Sequence, residues 1–225
     1  MNEVISIVTS GEFLRAILLT LKITIVSTLL AYVIGIPLGV ILYGTSKGSI
    51  FQNKPVNTVI GFVVNIIRSI PFVILLIMTQ PIAKTLVGSK IGTNAFIFHL
   101  VIAAAPFVAR MIESSFREVD AGVIEAAQAM GSNNFQIVMK VIIPEAKPSL
   151  IIGGAIAITT ILGYTPMASY ISGGGLGEYA VNYGLYRSQE TKMYISSLLL
   201  IIIVQILQES LNYIAKICDK RIRNK

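Results

Sequence analysis

The chain has 225 residues, of which 54% are hydrophobic and 13% charged, with a mean hydropathy of +0.77. These values exclude an ordinary soluble domain and place the chain in the membrane class. The net charge of +7, from 18 basic and 11 acidic residues, is spread over short segments between apolar runs, a pattern of membrane topology rather than of nucleic-acid binding.

The amino terminus, "MNEVISIVTSGEF", carries Glu3 and Glu12 and lacks the basic start of a cleaved signal peptide, so the first apolar run is expected to remain in the mature protein. No lipidation motif is present, and Cys218, the only cysteine, allows neither a disulfide within the chain nor a cysteine metal site.

A helix needs roughly 20 mostly apolar residues to cross a hydrocarbon core about 30 Å thick. Five segments meet this: Ile17–Tyr43, Val56–Gln80, Ala95–Ile112, Leu150–Ile171 and Met193–Ile217. The fold expected is therefore an all-α membrane protein with five transmembrane helices. Pro106 is expected to interrupt the third span, which also holds His99. With no second His, Cys or carboxylate at ligand spacing, His99 reads as a hydrogen-bonded packing residue, and no metal site is expected. Arg68, in "NIIRSIPF", stands well inside the second span. It either faces a partner helix or the transport pathway, or is paired with backbone carbonyls or Asn65.

Orientation follows the lysines and arginines of short loops. The carboxyl-terminal "KICDKRIRNK" is the strongest basic cluster and belongs in the cytoplasm. Counting back through five spans places the amino terminus outside. The loops holding Lys47 and Lys54, and Arg117, Lys140 and Lys147, then lie inside. The spans hold no Asp or Glu except Glu209, which argues against a carrier driven by protons or sodium, and no lined selectivity filter suggests a passive channel.

Between the third and fourth spans, Phe116, Val119, Val123, Ala126 or Ala127, and Met130 recur at intervals of three and four, predicting one apolar helix face. Gly131 is placed to end that helix in a left-handed conformation, and Ser132 or Asn133 to cap a second, "NFQIVMKVII". Pro144 is expected to end the second helix and Pro148 to turn the chain into the fourth span. Ala126, Ala127 and Ala129 would let another surface approach the backbone closely.

The stretch "EAAQAMGSNNFQIVMKVIIP" resembles the signature of the membrane subunits of bacterial ABC importers: Glu-Ala-Ala, three residues, Gly, nine residues, then Ile-x-Leu-Pro. Glu125, Ala126, Ala127, Gly131 and Pro144 match it, with Val141 and Ile143 as apolar replacements. "IIRSIPF", "AAAPFVARMIESSFREVD" and "GYTPMASYISGGGLGEYAVNYGLYR" are similar to the methionine importer permeases in particular. The resemblance implies a type I importer permease. Its single domain would cover residues 14–217, with a cytoplasmic coupling loop, 113–148, that docks on a separate ATPase subunit. Partners implied are a second copy of the chain, two ATP-binding subunits, an extracytoplasmic substrate-binding protein and the bilayer, with no nucleic acid. Met167 matches a gate methionine. Tyr164 beside it and Arg68 complete the candidate translocation path. Gly163 and Pro166 independently suggest an interrupted helix, which a membrane tolerates only where protein or a water-filled cavity surrounds it.

No G-x-x-x-x-G-K-[ST] loop is present and "GTSKGS" does not satisfy that spacing, so the chain should bind no ATP and no cofactor and be no enzyme in itself. "SGGG" is either a close-approach surface for a binding protein or a plain flexible turn. The function implied is import of methionine, D- and L-, by alternating access. An osmoprotectant (quaternary amine) importer permease is the alternative, and a passive channel or secondary carrier the reading from a different class.

Overall fold

A computed structural model describes residues 2–219. The helices are α1 (Asn2–Val8), α2 (Gly11–Gly44), α3 (Lys54–Ser69), α4 (Phe72–Val87), α5 (Thr93–Arg117), α6 (Ala121–Ala129), α7 (Asn134–Ile137), α8 (Ile143–Tyr164), α9 (Leu176–Ala180) and α10 (Glu190–Cys218). Wider π turns occupy Val138–Ile142 and Val181–Leu185, and a tighter 3-10 segment covers Thr165–Tyr170. All-α architecture follows from the solvent, since lipid offers no partner to a free backbone N–H or C=O.

The contact between α2 and α5 organises the bundle. Gly35 lies against Val108 and Gly39 against Ile112, so close that an added Cβ would sit 2.6 Å from each side chain. Both numbers rise together, so the two helices run parallel. Helix α8 runs against α5, with Gly153 at Met111 and Ser149 bonded to Ser115. Helix α10 in turn runs against α8, where Gly154 meets Leu211 and Ile158 and Leu162 share an apolar cluster with Ile203.

Parallel α2 and α5 require one crossing between them, and α3 and α4 supply it as a broken span. The sequence predicts one helix over Val56–Gln80, but the chain bends by 112° between Ser69 and Phe72. Pro71 explains the break, because it donates no hydrogen bond and forces Ile70 into an extended conformation (ψ 125°). At 16 residues each, α3 and α4 are about 24 Å long and neither alone crosses the core.

Three prolines behave differently from expectation, one of them Pro148, which lies inside α8 instead of turning the chain into it. Pro106 does not interrupt α5, which is continuous over 25 residues. Nor does Pro144 end a helix, for the chain stays helical from Asn134 through α8. The π turn Val138–Ile142 immediately before it widens the ladder where the proline ring would crowd a carbonyl, and Pro144 sits in the first turn of α8.

One end of the bundle gathers the 45–53 connection, α6, α7 and the end of α10. The Asn134 amide donates to Ile50 O, and Cys218 and Asp219 line a cleft with Ser115, Glu118 and Pro144. At the other end, Gly92 N donates to Ile171 O (2.7 Å) and Leu176 N to Thr20 Oγ1 (2.7 Å). The basic residues from Lys220 onward, used above for orientation, lie outside the described residues.

Overpacking a close contact costs about 1–3 kcal/mol. Gly39→Val is therefore expected to lower the thermal unfolding midpoint of the purified protein. Adding Ile112→Ala, which empties the space the new methyls need, should recover part of the loss.

Candidate functional site

The end of the bundle with α6 and α7 is built as a rigid projection. The Asp120 carboxylate caps α6, accepting from Gly122 N at 2.7 Å. Gly131 ends the helix with φ +80°, as its spacing predicts. Ser132 N donates to Ala127 O (3.1 Å) and Gly131 N to Gln128 O (2.9 Å), the paired bonds of a Schellman turn. Asn133 then caps α7 reciprocally: its side-chain Oδ1 accepts from Gln136 N (2.9 Å), while its backbone N–H donates to Gln136 Oε1 (3.0 Å).

The predicted apolar face divides in two. Phe116, Val119 and Ala127 are buried in the core, whereas Val123 is exposed and Met130 is 80% exposed. Phe135, 73% exposed, and Met139 extend the uncovered apolar surface onto the next helical segment. Ala127, a candidate docking residue by its signature position, instead packs inward, because it lies on the α6 face that meets the bundle. Glu125, Ala126, Gly131 and Pro144 are exposed. Glu125 also lines a cleft of about 440 Å³ with Lys47, Arg117 and Gln128.

The path candidates meet at the break between α3 and α4. Tyr164 stacks on Phe72, the first residue of α4, with ring centroids 4.6 Å apart and planes 12° apart. Phe72 in turn meets Phe96 edge-on at 6.1 Å. Met167, half-buried, packs on the same core. The interruption expected at Gly163–Pro166 is a tightening rather than a gap. Thr165 Oγ1 donates to Leu162 O (2.7 Å), and Gly177 lies so close over Thr165 and Pro166 that no Cβ would fit. Arg68 is in the last turn of α3, exposed at the break, with no hydrogen-bond or ion-pair partner among the described residues. It is not paired with Asn65, whose side-chain oxygen is taken by Arg110 (3.0 Å).

Arg110 is the residue that the sequence reading passed over. It ties Gly61 O and Asn65 of α3 to Glu113 (2.6 Å), and Glu113 also accepts from Arg117 (2.8 Å). The i, i+3 and i, i+7 spacing of Arg110, Glu113 and Arg117 in "ARMIESSFR" was the available signal, hidden because the span was ended at Ile112. His99 is buried and its Nδ1 lies 2.7 Å from Thr79 Oγ1, a packing role as expected.

The glycines of "SGGG" pack on their own bundle. Gly173 presses on Phe96, Gly174 and Gly175 have φ of +86° and +96°, and Gly174 N bonds to Glu178. Beyond it, Tyr183 donates to both oxygens of Glu12 (2.7 and 2.8 Å), with Arg187 and Lys192 over its ring. The bond to Glu12, and burial after it, raises the Tyr183 pKa, so the phenol remains a donor.

The arrangement has close counterparts. The chain is 42% identical over 212 residues to the probable D-methionine transport system permease protein MetI of Vibrio cholerae, covering 94% of each. It is 46% identical over 181 residues to the methionine import system permease protein MetP of Bacillus subtilis, covering 80% of this chain and 82% of that one. Among solved structures, an inward-facing conformation of the MetNI methionine ABC transporter matches with a TM-score of 0.90 and 40% identity over 92% of this chain and 96% of that one. A bacterial alginate ABC transporter, 16% identical with a TM-score of 0.74, shares the fold. With residues 35–224 matching the family as well, the chain belongs to the binding-protein-dependent transport system inner membrane components.

Proposed function

We propose that this chain is the permease subunit of an ATP-driven methionine importer, carrying D- and L-methionine inward across the cytoplasmic membrane by alternating access. The observation that carries the reading is the α6–Gly131–α7 projection, a rigid helix pair whose outer surface leaves Met130 and Phe135 uncovered outside the apolar spans. An amphipathic helix with apolar anchors suits a groove on a partner protein. The names of relatives 42 and 46% identical supply methionine as the cargo and disfavour the osmoprotectant alternative.

The functional unit is two copies of the chain, two ATPase subunits docked on the two projections, and a substrate-binding protein on the opposite face. On this reading the end with α6 and α7 is cytoplasmic and the amino terminus external. No phosphate loop exists in the sequence, so the energy is supplied through the projection. Glu125, Ala126, Gly131 and Pro144 serve docking, with Ala127 holding α6 to its own bundle. Met167, Tyr164 and Arg68 act at the constriction where the broken span meets the 3-10 segment.

Proteoliposomes holding the permease, ATPase subunit and binding protein are expected to accumulate labelled L- and D-methionine only with ATP inside the reach of the ATPase. The permease alone should hydrolyse none. Uptake by the permease alone on a proton or sodium gradient, or preferential uptake of a quaternary amine, would refute the assignment.

A left-handed conformation costs a residue with a Cβ about 1–2 kcal/mol. No atom of this chain lies within 4 Å of a Cβ at Gly131, so Gly131→Val strains the backbone without a clash inside the chain. It should reduce co-purification of the ATPase subunit while membrane insertion is unchanged, and Gly131→Ala, with far less bulk toward the partner, should show the same direction. Undiminished co-purification would show that the turn has no docking role.

Met167→Ala should leave the complex assembled but raise ATP hydrolysis in the absence of binding protein, because a loosened constriction no longer holds the resting state. A cysteine replacing Met167 should cross-link to its copy in the resting dimer. If it neither cross-links nor reacts with a small aqueous thiol reagent in any state, residue 167 is a packing position.

A further inference from the structure

Helix α3 rests on its own bundle through a narrow seam. Of its 16 residues only Gly61 and Val64 are buried, and its far end is a bend of 112° rather than a continuing helix. Val64 packs with Leu42 and Ala109, the Asn57 amide ties the first turns of α3 to Leu42 O (2.7 Å) and Thr45 Oγ1 (3.0 Å), and the rest of what fixes it is centred on Arg110. The Arg110 guanidinium donates through Nη2 to Gly61 O (3.2 Å) and Asn65 Oδ1 (3.0 Å), both on α3, and through Nη1 to Glu113 Oε2 (2.6 Å).

Glu113 is the pivot of this group. Its side chain is only 10% exposed, and its second oxygen accepts from Arg117 (2.8 Å), the last residue of α5. Arg117 lines the cleft beneath α6 with Lys47, Glu125 and Gln128, three residues before the Asp120 cap. A series of charge-assisted bonds therefore runs along the last turns of α5, from Arg117 where the chain leaves for α6, to the middle of α3. Charge-assisted bonds are the short, strong class, and an Arg fork can hold several acceptors in fixed directions.

We propose that Arg110 and Glu113 form a strut that transmits movement of the α6 projection to α3, turning α3 about the Ile70–Pro71 break. Both are positioning residues. Arg110 sets the angle of α3 relative to α5, and Glu113 fixes Arg110 to the same support as Arg117. Movement of α3 then reaches Phe72, directly beyond the break, and the ring of Tyr164 stacked on it. The proposal rests on the reading of the chain as an importer permease driven through α6.

The test uses the complete transporter in proteoliposomes, with ATP hydrolysed per methionine imported as the readout. Asn65, exposed on α3, offers the cleanest change, since Asn65→Ala removes one acceptor and leaves the Arg110–Glu113 pair intact. The ratio should rise by about fivefold or more, the low end of a typical coupling free energy, in complexes that still assemble. Asn65→Asp, which keeps an acceptor for Arg110, should restore a near-normal ratio. Arg110→Lys keeps the charge beside Glu113 but loses the fork, and should uncouple as Asn65→Ala does.

With Cys218→Ser to remove the native thiol, spin labels at Val59→Cys on α3 and Leu198→Cys on α10 report the geometry directly. The ATP-dependent change in their separation should be present in the otherwise unaltered transporter and lost with Asn65→Ala. A normal ratio and an unchanged ATP response in Asn65→Ala, or full function of Arg110→Lys, would reduce the strut to a structural ion pair and overturn the proposal. Should Arg110→Lys fail to assemble, the Asn65 pair decides alone. Absence of ATP-dependent methionine import by the unaltered complex would instead refute the importer reading itself.

Discussion

The close approach of α2 to α5 at Gly35 and Gly39 sets the geometry on which the other helices depend. Lipid tails are as apolar as leucine, so helices in a bilayer gain little by burying apolar side chains against each other, and tight van der Waals contact has to replace that force. Two glycines one turn apart supply it, with Val108 and Ile112 seated directly on the α2 backbone. Because the contact makes α2 and α5 parallel, it also dictates that the intervening chain must cross once. The broken α3–α4 pair is therefore a span and not a loop that returns to its own side.

The same shortage of water explains where irregular backbone is placed. Residues Thr165–Tyr170 and Gly173–Gly175 depart from α-helix, and both segments are packed against protein rather than left to lipid. Gly177 covers Thr165 and Pro166, Thr20 supplies an acceptor to Leu176 N, and Glu178 supplies one to Gly174 N. Along the regular helices, Thr20, Thr28 and Thr79 return their hydroxyl protons to the carbonyl four residues back, which settles buried hydroxyls without a neighbour.

Periodicity and local chemistry made much of this legible. Apolar length located all five crossings, and Gly131, directly after the helical period that ends at Met130, identified the turn, including its positive φ. What could not be read was any feature set by a neighbouring helix. Pro144 looks like a helix end from its own residues, but a π turn upstream absorbs it. Ala127 and Val123 share a helical period, yet the core takes the first and not the second. Arg68 stood out as a strong charge in the middle of a predicted span, whereas Arg110, near the end of the next, carries the cross-helix bonds. Its partners, Gly61 and Asn65, are more than 40 positions away, and no local pattern links them.

The distribution of strong and weak seams suggests how a bundle with so few charges can still move. Helices α2, α5 and α8 are joined by glycine contacts and by the Tyr32 bond to Leu150 O (2.8 Å), which tolerate little displacement. Densely packed contacts of this kind change as rigid bodies or not at all. Helix α3 differs, held mostly by directional bonds from Arg110 and Asn57 over a small apolar contact and bent at a proline. Bonds of that kind can be exchanged for others of similar strength at modest cost, whereas the Gly39–Ile112 contact has no alternative arrangement. A rigid three-helix support carrying one bent element is the division of labour that the proposed alternating access would require, because a constriction would have to reset while the membrane seal does not.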